Sequence, residues 1–197
     1  MRRLPIYFLI DTKFDIASDS LAAMNNALHL LIKNFRQNPQ LIETAIVSIN
    51  SLSENNYQIN PLIELEYINS CQLIATQSCF LGKSLSLLGE FLQKQELSKD
   101  KSEKKDWEAT IFIFLHNYPE DNFIKSCNHF KKLRQRTIII VFDNSIDLMN
   151  LKLLSENIWD YNNIDSSAIS KFFWWSEDIF PFSEKTDFSE NIINLKK

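Results

Sequence analysis

Apolar and polar residues along this chain follow two alternating rhythms. Near-continuous apolar runs, "LPIYFLI" (Leu4 to Ile10), "ATIFIFL" (Ala109 to Leu115) and "RTIIIVF" (Arg136 to Phe142), are of the kind found in central strands of a parallel sheet, covered on both faces. Between them apolar residues recur at three- and four-residue spacing. Leu21, Met24, Leu28, Leu31, Ile32 and Phe35 form one helix face, starting at Ser18 or Asp19 and ending before Pro39. Leu81, Leu85, Leu88 and Leu92 form a second, and Phe123, Cys127, Phe130 and Leu133 a third. "IETAIVSIN" (Ile42 to Asn50) is β-branched and predicts a strand. "YQINPLIEL", after the turn "SENN", predicts its hairpin partner, with Pro61 assigning it to a sheet edge. A short helix around Ile146 to Leu154, a last strand near Asn157 to Tyr161 and an amphipathic helix "SSAISKFFWWSEDIF" follow. In that last helix Ile169, Phe172, Phe173 and Ile179 are expected against the sheet, with Trp174 or Trp175 half-exposed.

This order predicts a three-layer α/β/α, doubly wound architecture: a mostly parallel six-stranded sheet with one antiparallel edge strand and right-handed crossovers. Residues 1–182 are expected to form this domain, and 183–197 a flexible C-terminal tail. In such sheets a ligand site lies beyond the carboxyl ends of the strands, where the strand order reverses. The loops to inspect are those after Ile10, around residues 74–80 and after Leu115.

Composition narrows the function classes. The 197 residues are 45% hydrophobic and 23% charged with net charge −4, which suits one domain and offers no basic footprint for nucleic acid. The opening apolar run is interrupted by Asp11 and is too short for a membrane span or signal peptide, so a cytoplasmic location is expected. Cys71, Cys79 and Cys127 lack CxxC spacing and are expected as thiols. The lysine-rich run "QKQELSKDKSEKKD" is expected as a solvated helix end and connector, with a docking patch as the alternative. There are only two glycines, Gly82 and Gly89. Average usage would give roughly fourteen, so phosphate-cradling loops and the dinucleotide fingerprint are absent.

The three loops also carry a resemblance. "RRLPIYFLIDT", "NFRQNPQLIETAIVSI", "FLGKSLSLL", "KKDWEATIFIFL" and "ISKFFWWSEDI" match, in order, the pattern of von Willebrand factor type A domains, and more closely that of bacterial TerY-type members associated with tellurium-resistance and stress gene clusters. The resemblance runs to about Phe180. It implies a metal-ion-dependent adhesion site, in which a DxSxS loop, a threonine and an aspartate supply hard oxygen ligands to Mg²⁺ or Mn²⁺. Carried over residue by residue, only Asp11 keeps its ligand. The two serines stand as Lys13 and Asp15, the threonine as Cys79 after Gln77 and Ser78, and the third-loop aspartate as His116, followed by Asn117.

The expectation is therefore a degenerate metal site with no cofactor. The Lys13 ammonium is expected beside Asp11 and Asp15, taking the metal's electrostatic role. Phe14, Phe80 and Tyr118 bring aromatic contact area to the same loops, which predicts a protein-binding face made of Asp11, Lys13, Phe14, Asp15, Cys79, Phe80, His116, Asn117 and Tyr118. The function expected is a non-enzymatic scaffold or regulatory module. The resemblance implies partners from a TerY-type signalling set, a Ser/Thr protein phosphatase or a kinase, with no nucleic acid and no membrane. Two alternatives stay open. One is a receptor that still binds Mg²⁺, Mn²⁺ or Zn²⁺, the zinc held by Asp11, Asp15, Cys79 and His116. The other is a hydrolase built on Cys79 and His116 with Asp11 as orienter. His29 and His129 are assigned to helix surfaces.

Overall fold

The computed structural model describes residues 2–13, 19–68, 72–98, 106–133, 135–143 and 146–160. The closing helix, its aromatic cluster, the tail, Cys71, Phe14 and Asp15 lie outside the described residues.

The apolar runs become strands β1 (Leu4–Ile10), β4 (Thr110–Leu115) and β5 (Arg136–Val141), joined by β2 (Ala45–Ser51), a two-residue β3 (Ile63–Glu64) and β6 (Ile158–Asp160). The sheet order is β3-β2-β1-β4-β5-β6, parallel throughout except for β3 against β2. The doubly wound α/β expectation holds, and the strand order reverses between β1 and β4.

Alternation along the strands feeds two core layers. Leu4, Ile6, Phe8 and Ile10 of β1 pack with Met24, Leu28, Leu31, Ile32 and Phe35 of α1 (Asp19–Phe35). Tyr7 and Leu9 point the other way, to Leu81, Leu85, Leu88 and Leu92 of α3 (Leu81–Ser98) and to Cys127 and Phe130 of α4 (Ile124–Lys131). Register explains the aromatic ladder in the first layer: Phe8 sits opposite Phe112, their rings stacked at 5.2 Å, and Phe114 stacks on Phe142 at 6.3 Å. His29 and His129 are exposed on their helices, as expected.

Two local expectations change. Pro39 does not merely end the first helix; it starts α2 (Pro39–Thr44), so Ile42 to Thr44 are helical and β2 begins only at Ala45. The cause is local: the Asn38 side chain accepts hydrogen bonds from the backbone N–H of Gln40 and Leu41, while proline at the first position lacks the N–H that would otherwise be orphaned. The hairpin partner is also much shorter than "YQINPLIEL". Above β3 the β2 edge is finished by side chains: Asn60 Nδ2 donates to the Ile49 carbonyl at 2.6 Å and Asn56 Nδ2 to the Ser51 carbonyl. A single-turn α5 (Leu148–Leu151) follows β5, its start capped by Asp147.

Candidate functional site

The reversal point places Asp11 in the crevice between the ends of β1 and β4. Its backbone N–H continues the ladder to the Phe114 carbonyl at 2.8 Å, which fixes the side chain at the tip of the sheet, fully buried. A buried carboxylate requires donors, and the loops supply them. Oδ1 accepts from the Lys13 N–H at 2.9 Å. Oδ2 accepts from the backbone N–H of His116 at 3.2 Å and of Asn117 at 2.7 Å, and from Asn117 Nδ2 at 3.0 Å. The Asp11 carboxylate also bears on the buried Cys79 thiol, whose pKa it helps to raise after burial itself. Asn117 Nδ2 also donates to the Lys13 carbonyl at 2.8 Å, tying the first loop to the third.

Lys13 behaves differently from the expectation. Its ion pair is with Glu120, Nζ to Oε1 at 2.6 Å, both side chains partly exposed. That hydrogen bond is the main reason its pKa is held up, with Asp11 a weaker, longer-range contributor. The group lying directly against Asp11 is the Asn117 carboxamide. The sequence placed Asn117 in the candidate face but carried no sign that its amide would bond to Asp11, because a neutral amide in a loop has no pattern; Glu120 was missed because nothing local links it to Lys13.

A hydroxyl chain secures the second loop. Thr12 Oγ1 lies 2.6 Å from Ser51 Oγ and 2.9 Å from Thr76 Oγ1, and the Thr76 N–H donates to the Thr12 carbonyl at 2.7 Å. The Phe80 N–H donates to the Leu52 carbonyl and the Glu120 N–H to the Cys79 carbonyl, at 2.9 and 2.8 Å. Asp121, which the sequence did not single out, caps α3 from the third loop: Gly82 N–H and Lys83 N–H donate to its two oxygens at 3.1 and 2.8 Å. Gly82 is required here, since a Cβ would lie 2.8 Å from Phe123 Cα. Tyr118 stands exposed, its ring edge-on to Phe123 at 5.9 Å. The structure thus gathers Asp11, Lys13, Cys79, Phe80, His116, Asn117 and Tyr118 at one end of the sheet; Phe14 and Asp15 are the two members it does not describe.

This donor set fits a hard divalent ion poorly. Asp11 is the one hard-oxygen ligand among Asp11, Lys13, Cys79 and His116, and its Oδ2 is already taken by three N–H donors. Among the described residues no group of three or more His, Cys, Asp or Glu is placed to hold a metal. Nor does Cys79 suit nucleophilic work. Burial, then the Asp11 charge, pushes its pKa far up, and the thiolate is the reactive form.

No protein-family profile matches this sequence, and comparison with curated proteins finds no significant match. Solved structures do match. Proximal thread matrix protein 1 from the mussel byssus aligns at TM-score 0.68 and 12% identity, over 90% of this chain and 48% of its own. A second structure of that protein, described as having a zinc-occupied MIDAS motif, aligns at 0.59 and 10%, over 89% and 46%. The ArnB paralog VWA2 from Sulfolobus acidocaldarius aligns at 0.58 and 12%, over 85% and 44%. The chain spans less than half the length of each of these proteins. No helix of the described residues is long and apolar enough to cross a membrane. At such low identity the likeness is one of architecture, and the chain has the doubly wound α/β fold of von Willebrand factor A-type proteins.

Proposed function

We propose that this domain is a non-enzymatic protein-interaction module whose adhesion-type metal site has degenerated, and that it binds its partner through the loops around Asp11. The observation that carries this reading is the engagement of the buried Asp11 carboxylate by four N–H groups of its own loops. Where a metal-dependent relative would offer a cation to a partner, this site offers a closed hydrogen-bonded knot. The sequence resemblance adds a setting: a TerY-type stress or tellurite-resistance system, with a Ser/Thr protein phosphatase or kinase as the partner to test first. That setting rests on family analogy.

The zinc-occupied MIDAS motif of the mussel protein favours a second reading, a receptor that binds a divalent ion through an altered shell. Thermal melting with and without Mg²⁺, Mn²⁺ and Zn²⁺ separates the two. A ligand selective for the native state at a hundred times its Kd adds about 2.7 kcal/mol. The degenerate-site reading expects no shift; a rise of several degrees with Mg²⁺ supports the receptor.

A further inference from the structure

Residues 53–62, between β2 and β3, run along the upper β2 edge without joining the sheet. Pro61 near their end lacks the N–H that pairing would need. Among the described residues, the hydrogen bonds from this segment's backbone to the rest of the domain all end on side chains. At the loop end, the Glu54 N–H donates to Ser78 Oγ at 3.2 Å, and the Glu54 carbonyl accepts from Lys83 Nζ, which lies 4.4 Å from the Tyr57 ring centre. At the β3 end, the Asn60 N–H donates to Asn50 Oδ1 at 2.8 Å and the Asn60 carbonyl accepts from Ser48 Oγ at 2.7 Å. Asn60 and Asn56 return the contact through their own amides, on the Ile49 and Ser51 carbonyls.

Detaching such a segment costs little apolar burial. Ile59 and Leu62 are its contacts with the hydrophobic core, and both are only partly buried; Tyr57 is 76% exposed. What the segment bonds to on β2 is polar. Ser48 and Asn50 are each 1% exposed, with Asn50 Nδ2 donating to Ser48 Oγ at 3.0 Å. On release these groups meet water as they lose the segment, so hydrogen bonds are exchanged rather than forfeited. The segment also holds its own shape at one end, where the N–H groups of Asn55 and Asn56 donate to Ser53 Oγ and the Ser53 carbonyl, both at 3.2 Å. Few buried apolar contacts and a backbone held from outside the sheet belong to the low end of local opening free energies.

We infer that residues 53–62 form a strap that opens as one unit while the sheet stays folded, and that the closed strap takes the place of a further strand on the upper β2 edge. Opening frees the Ile49 and Ser51 carbonyls, so the strap is an autoinhibitory contact of that edge. This goes beyond the interaction-module reading and does not depend on it. The test is native-state hydrogen exchange of the full chain, read by NMR over a series of urea concentrations. The Glu54 and Asn60 amides, one from each end of the strap, are expected to exchange about a hundredfold faster than the amides of β1 and β4 after correction for intrinsic rates. Their urea dependence should be far smaller than that of global unfolding, because little surface is exposed. Lys83→Met removes a bond at the Glu54 end alone. It should speed Asn60 as well as Glu54, each about fivefold, and leave the β1 and β4 amides as in the parent. Acceleration that fails to reach Asn60, or exchange of both amides only together with the central strands, overturns the inference.

Discussion

Asp11 and Lys13 are two residues apart, yet they contribute to the site on different scales of energy. Asp11 is fully buried and accepts hydrogen bonds from four N–H groups. Removing an acceptor strands its donors at about 1–3 kcal/mol for each that stays dry. Asp11→Ala is therefore expected to cost about 3 kcal/mol or more in urea unfolding. The Lys13–Glu120 pair is partly exposed on both sides and screened, so Lys13→Ser should cost less than about 1 kcal/mol. Equal losses would mean that the ion pair, rather than the carboxylate, secures the loops. The strand-tip aspartate was legible in the sequence because an apolar run ends on it. The bond it accepts from the Asn117 amide was not, since that depends on the path of a loop more than a hundred residues downstream.

Helix and strand boundaries show the same division between local and distant causes. The central strands were readable because both their faces are buried, and α2 could have been found from the pair Asn38-Pro39, an N-cap followed by proline. The start of α3 was different. Its cap, Asp121, arrives from another loop, and Gly82 was the only trace, a glycine needed where Phe123 Cα comes within 2.8 Å of an added Cβ. Asp121→Ala is expected to cost about 1–2 kcal/mol, as loss of a helix cap does. Gly82→Ala should cost about 1–3 kcal/mol through overpacking. Hydrogen exchange should localise the Asp121 effect to the first turn of α3; uniform loosening across the helix would argue against a capping role.

For the molecule as a whole, buried protonated groups set the response to alkali. Burial pushes the Cys127 thiol up to about 12, and raises Cys79 and the Tyr7 phenol further. In the unfolded chain the thiols lose protons from about pH 9, so above that pH the unfolded state binds fewer protons and stability falls as pH rises. Each thiol contributes about 1.4 kcal/mol per pH unit in this window, full stability being retained below pH 9. Urea midpoints measured from pH 8 to 11 should be level and then fall, and Cys127→Ala should remove about half of the initial slope. A flat profile would show that the thiols are ionised in the folded protein.

The carboxamides of Asn56 and Asn60 have a bearing on how copies of this chain meet. A carboxamide is a peptide group without a chain attached, so these side chains take two carbonyls of the upper β2 edge without extending the sheet. A partly unfolded neighbour reaching that edge finds the Ile49 and Ser51 carbonyls already hydrogen-bonded, which weakens strand pairing there.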